Sequence, residues 1–147
     1  MPRTIHMAAF LPAPPEKLFD MYLDPKFHAA ITGAPVSIGH RPGAPFRAFN
    51  GMLTGTILQV VPKRLIVQSW RAEGWKDSDI DSTLILIFSP EKKGARIELV
   101  HVNVADNDYS GVSEGWGTYY WTPWREYLKK HPAARLARDA SRSSQRS

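Results

Sequence analysis

The chain has 147 residues, 43% of them hydrophobic and 22% charged, a length that suits one domain around one core. No apolar run approaches the roughly 18 residues of a helical membrane span, and residues 1–12 lack the pattern of a secretory leader. The absence of cysteine removes disulfides, thiolate metal sites and a cysteine nucleophile, so a cytoplasmic setting is expected, while the formal charge of +5 raises the question of an anionic partner.

Residues 3–10 alternate loosely ahead of Pro12, Pro14 and Pro15 and are expected to form a first strand. Pro15 suits a first helical position, and Leu18, Phe19, Tyr22 and Leu23 recur behind it at helical spacing. Asp24 stops that helix and caps a second, which has Pro25 at its start, Phe27, Ala30 and Ile31 within it and Gly33 at its end. From residue 34 the pattern turns to period two, predicting strands over 36–38, 46–49, 52–61, 65–71, 82–88 and 95–102. Asn50 with Gly51, then 62–64, then 90–94 are the expected turns, so neighbouring strands should pair antiparallel. Residues 106–110 read as a polar loop, and a helix of about 20 residues follows to about Lys130. It carries Val112, Trp116, Tyr120, Trp124 and Leu128 at four-residue spacing, and Pro123 is expected to kink or break it near its last turns.

The basicity is concentrated at the end of the sequence, where Arg135, Arg138, Arg142 and Arg146 stand against Asp139. With Leu136 as its single large aliphatic residue, the stretch 132–147 buries too little to offset its ordering entropy, and it is expected to be a disordered solubilising tail behind one domain over 1–131. No base-reading motif accompanies the arginines, so no specific nucleic-acid partner is expected. Strand, two short helices, meander and long helix make an α+β plan in which a curved sheet wraps the final helix.

That order of elements resembles the helix-grip fold of the START and birch-pollen-allergen superfamily. Within it the chain is similar to the domain at the C-terminal end of activators of the heat-shock protein 90 ATPase. The resemblance is carried by Ala34 and Pro35, Gly43 before Phe46, Gly51 and Gly55 around Leu53, then Val61, Pro62, Ile66, Val67, Trp70 and Arg71. It continues through Thr83, Leu84, Leu86 and Phe88 to Gly115, Trp116, Tyr119 and Tyr120. The resemblance implies an antiparallel sheet of six to seven strands and a cavity between sheet and final helix that often holds an apolar or amphipathic ligand. It does not imply one chemistry, because the fold hosts carriers, cyclases and chaperone regulators alike. Two-domain activators engage the chaperone through a separate N-terminal module with an Asn-rich, Trp-containing segment. This sequence does not contain that module, so a possible chaperone partner is the second expectation and not the first. Ile85 and Ile87 stand where the familial pattern is commonly Thr and polar.

Alternation places Ile97, Leu99 and His101 on one face of the last strand, and Ile66, Gln68 and Trp70 on the matching face of an earlier one. With Phe46, Leu84, Leu86 and Phe88, and with Trp116, Tyr120 and Trp124 from the helix, these residues are the candidate lining of a cavity for a small hydrophobic or aromatic molecule. Gln68, His101 and Tyr120 would then orient the ligand. The competing arrangement is a solid core in which those three satisfy one another's hydrogen bonds. The same period sends Ile85 and Ile87 outward, to be covered by a loop or the tail, or to form an apolar patch for a homodimer or another partner.

His101 is the natural acid or base near neutral pH, yet no nucleophile or carboxylate is paired with it, so no catalytic residue is assigned and enzymatic turnover ranks third. Asp77, Asp79 and Asp81 lack the glycine and terminal glutamate of a calcium loop and read as a solvated acidic turn. His6, His28, His40 and His131 show no paired ligand spacing, and Gly33, Gly39 and Gly43 make no phosphate loop. No metal and no cofactor is expected.

Overall fold

The computed structural model describes residues 1–131, so the expected disorder of 132–147 lies outside the described residues. The chain runs β1 (Arg3–Leu11), α1 (Pro15–Leu23), α2 (Pro25–Thr32), β2 (Val36–Ser37), β3 (Pro45–Ala48), β4 (Leu53–Val61), β5 (Leu65–Ala72), β6 (Ser82–Glu91) and β7 (Gly94–Val104). A long helix closes it as α3 (Tyr109–Trp116), a π-helical turn (Gly117–Trp121) and α4 (Thr122–Lys130). The seven strands form one antiparallel sheet in the order β1-β7-β6-β5-β4-β3-β2, as the helix-grip expectation requires. Among the described residues no helix is long and apolar enough to cross a membrane.

The short helices follow the expected punctuation. The Asp24 carboxylate accepts from the Lys26 backbone N–H at 2.9 Å, Pro25 opens α2, and Gly33 closes it at φ 79° in the left-handed region. In β6, Ser82, Leu84, Leu86 and Phe88 are buried while Ile85 and Ile87 stand half-buried on the outer face, beside Val67 of β5 and Val100 of β7. A bulge near Asn103, at φ 63°, brings Val104 back to the buried side beyond His101.

Three local expectations are corrected. The turn between β3 and β4 is longer than Asn50 and Gly51: Phe49, Asn50 and Gly51 all adopt positive φ, at 52°, 57° and 87°. Phe49 therefore leaves the strand and projects from the turn. Pro90 belongs to β6 and not to a turn, pairing with Ala95 across a tight Lys92–Lys93 connection. Because β5 stops at Leu65 opposite Ile87, β6 has an open edge at Pro90, where a missing N–H costs no ladder bond.

The third correction concerns Pro123, at which the helix does not break: a π-helical turn precedes it and α4 runs on through it. In a regular α-helix each four-residue step overshoots a turn by roughly 40°, so four steps would swing Leu128 about 160° away from Val112. Yet Val112, Trp116, Tyr120, Trp124 and Leu128 are all buried. The π-helical turn reconciles the two: the Thr122 N–H reaches back five residues to the Gly117 carbonyl, and the wider turn rewinds the apolar row onto the sheet. Trp121 and Thr122 keep right-handed helical backbone into Pro123.

Side-chain bonds pin this helix to the rest of the fold. The Arg125 guanidinium donates to the Phe10 carbonyl at 3.0 Å, the Trp121 indole to the Met7 sulfur at 3.3 Å, and the Trp75 indole to Asp108 Oδ2 at 2.8 Å. The last of these joins the β5–β6 loop to the helix start. Within that loop Arg71 donates to the Asp79 carbonyl and the Asp81 carboxylate, and Asp79 accepts from the Lys76 backbone. Asp79 and Asp81 thus brace the loop.

Candidate ligand-binding site

A cavity of about 410 Å³ lies between the long helix and the ends of β4 and β5. One wall is strand and turn: Phe49, Met52 and Leu53, then Trp70, Ala72 and Glu73. The other is the first half of the helix, where Asp108, Gly111, Val112, Gly115, Trp116, Tyr119 and Tyr120 recur every three to four residues along one face. Gly111 and Gly115 have no side chains to fill the space. Tyr119 and Met52 are both more than half exposed and form the mouth, with Tyr119 edge-on to Phe49 at 5.5 Å. Phe49 reaches that position only through its left-handed backbone, a conformation that costs a bulky residue about 1–2 kcal/mol.

Of the expected lining, Trp70, Trp116 and Tyr120 stand on the cavity wall. Phe46, Ile66, Gln68, Leu84, Leu86, Phe88, Leu99, His101 and Trp124 are buried in the packed interior. The strand period correctly turns the strand members of this set inward, but most meet other side chains there: Phe88, for example, packs edge-on against Phe19 of α1 at 5.7 Å. Phe49, Met52, Leu53, Ala72, Glu73, Asp108, Gly111, Val112, Gly115 and Tyr119 complete the wall without having been singled out as lining. The available signal was the pair of glycines four apart, one of them beside Trp116.

The buried polar groups form two chains of hydrogen bonds. In the first, the Ser82 hydroxyl donates to the Trp70 carbonyl at 2.6 Å and so accepts from His101 Nε2 at 2.8 Å. His101 Nδ1 in turn accepts from the Trp116 indole N–H at 3.3 Å. This pattern needs a single ring proton, and burial holds the His101 pKa down to about 3, so the imidazole is neutral. In the second, His28 Nδ1 donates to the Tyr22 carbonyl at 2.7 Å and His28 Nε2 accepts from the Tyr120 hydroxyl at 2.8 Å. The Tyr22 hydroxyl donates to Gln68 Oε1 at 2.5 Å. Burial lowers His28 to about 4, outweighing its bond to the Tyr22 carbonyl, and raises both tyrosines, so this chain is neutral too.

Gln68, His101 and Tyr120 therefore find partners, though not in one another. His28 and Tyr22, which the sequence reading left outside the site, hold Tyr120 and Gln68. Trp70 and Trp124 differ: both are buried and neither indole N–H has a hydrogen-bond partner among the described residues, and Trp70 also stands on the cavity wall. A buried donor without an acceptor costs about 1–3 kcal/mol. The arrangement can hold an apolar or aromatic body against Trp70, Trp116 and Tyr120, with Glu73 and Asp108 as the charged residues of the lining.

Comparison with known proteins agrees with this architecture. The family described as "Activator of Hsp90 ATPase homolog 1-like protein" matches residues 12–129. The human activator of 90 kDa heat shock protein ATPase homolog 1 is 23% identical over 107 residues, which cover 73% of this chain and 31% of that protein. The chain thus spans about a third of the length of that relative. Among solved structures, an HSP90 activator from Plasmodium falciparum superposes with a TM-score of 0.77 at 21% identity, covering 86% of this chain and 96% of the other. CalU16 from Micromonospora echinospora gives a TM-score of 0.66 at 26% identity, covering 80% and 71%. The match over most of its length places this chain in the Activator of Hsp90 ATPase homolog 1-like protein family.

Proposed function

We propose that the chain is a non-enzymatic helix-grip protein, acting in the cytoplasm, that binds a small hydrophobic or aromatic molecule between its sheet and its C-terminal helix. The observation that carries this reading is the aromatic cavity of about 410 Å³, a volume in the range of small-molecule sites. Burial of apolar ligand surface would supply the main driving force. The interior groups with acid–base chemistry, His101 and His28, have both ring nitrogens committed to structural bonds, which favours binding over turnover. Native mass spectrometry of protein purified without denaturation, before and after organic extraction, tests the reading. A small mass lost on extraction is expected; a clean apo mass from several hosts would count against it.

A second reading, contact with a chaperone through the protein surface, is favoured by the family match and by the name of the human relative. The outer sheet face, where Val67, Ile85, Ile87 and Val100 stand side by side, is the candidate surface for a chaperone or for a homodimer. Co-purification with heat-shock protein 90 and stimulation of its ATP hydrolysis are the expected results of this reading, and their absence would remove it. For the homodimer, Ile85→Thr with Ile87→Thr should lower the sedimentation mass to that of a monomer; identical masses for both proteins would exclude that interface.

A further inference from the structure

Resting on the cavity reading, we propose that the ligand class is an aromatic or apolar amine carrying positive charge. The charged groups on the cavity wall have one sign: Glu73 at the end of β5 and Asp108 at the start of the helix, with no Lys, Arg or His among the lining residues. This local sign opposes the net +5 of the whole chain. Two nearby arginines are engaged elsewhere. Arg71 donates to the backbone carbonyls of Lys76 and Asp79 and pairs with Asp81 at 3.1 Å, and Arg3 lies over the Tyr109 ring and 3.9 Å from Asp106. Asp108 Oδ2 accepts from the Trp75 indole, a neutral donor that leaves its charge in place. Glu73 is exposed and has no ion pair among the described residues.

The remaining wall is aromatic. Trp70, Trp116, Tyr119, Tyr120 and Phe49 offer ring faces and edges around one space, and ring faces attract cations through their quadrupoles. An ammonium group near the mouth would meet carboxylates and rings together, while its apolar body occupied the space left by Gly111 and Gly115. A carboxylate or sulfate headgroup in the same place would face Glu73 and Asp108 without a compensating cation. Charge at the rim therefore selects against anionic amphiphiles of the same shape.

The test uses the full chain and three probes of one shape: 2-(naphthalen-2-yl)ethylamine, 2-(naphthalen-2-yl)ethanol and 2-naphthylacetate. Binding is followed by NMR shifts of the indole N–H signals at low ionic strength. The amine should bind about five-fold more tightly than the alcohol, and the acetate more weakly than either. Glu73→Gln, at an exposed position whose backbone bond to the Met52 carbonyl is retained, should at least halve the preference for amine over alcohol. Equal affinities across the series, or a preference unchanged in Glu73→Gln, would overturn the inference and leave the cavity reading standing. Failure of all three probes to bind would overturn the cavity reading and this inference with it.

Discussion

Where His101, Ser82, His28 and Tyr120 lie between sheet and helix, these four side chains are hydrogen-bonded and the space is filled, with the Trp124 indole N–H left unpartnered among the described residues. Where Trp70 lies, a cavity of about 410 Å³ remains. Both regions draw on the same long helix and on aromatic side chains, so aromatic content does not distinguish them. The helix does: Tyr120, Trp124 and Leu128 thrust side chains into the first region, while Gly111 and Gly115 offer none to the second. Whether such a fold encloses a core or a pocket is decided by a few helix positions.

The sharpest way to break this comparison is to truncate one residue in each region. Leu99→Ala, at a fully buried position, should cost about 2–5 kcal/mol, whereas Met52→Ala on the exposed mouth should stay within about 0.5 kcal/mol. Urea denaturation of the two variants reads the difference; similar losses would mean that the mouth is part of the core.

Acid separates the regions next. His101 and His28 have folded pKa values of about 3 and about 4, below the ordinary 6.5, so between pH 6.5 and 4 the unfolded chain binds more protons than the folded one. These two groups make stability independent of pH above about 7 and cause it to fall as pH drops from 6.5, approaching two protons taken up on unfolding near pH 4.5. Thermal melts across this window should show the decline, and His101→Gln should make it shallower. An unchanged slope would mean that this imidazole is not held neutral.

Removing one hydroxyl gives a smaller effect. Tyr120→Phe leaves the buried His28 Nε2 without its donor and should cost about 1–3 kcal/mol by the same urea measurement, although the residue also touches the cavity. Gly115→Ala gives the smallest effect and the opposite sign. A Cβ there would meet Tyr119 at an ordinary 3.5 Å, so better helix propensity should stabilise the protein by up to about 1 kcal/mol. Gly115→Leu should go further and weaken naphthyl probe binding by filling the cavity; unaltered binding would place the probe elsewhere.

These regions were not equally legible in the amino-acid sequence. Strand facing was readable because period two leaves no freedom once Leu84, Leu86 and Phe88 turn inward, and α1 and α2 were marked by Pro15, Asp24, Pro25 and Gly33. The bond from Tyr120 to His28 joins residues 92 apart, and no local period says which distant polar groups will meet. Phe49 escaped notice as a wall residue because an aromatic in the left-handed region is disfavoured on its own and is held there by the surrounding packing. Pro123 was expected to kink or break the helix near its last turns, but the irregularity is a π-helical turn just before it, where five apolar residues at four-residue spacing require a wider turn.

That wider turn has an optical consequence. It presents Trp116, Trp121 and Trp124 as a staircase of near-parallel indoles, with Trp121 5.8 Å from the first at 25° and 6.5 Å from the second at 15°. Transition dipoles this close couple as an exciton, and its circular-dichroism couplet changes shape with small rotations of the rings. Since Trp116 also lines the cavity, any molecule that entered it would touch one end of the staircase, and the proposed binding would carry its own optical reporter without a label.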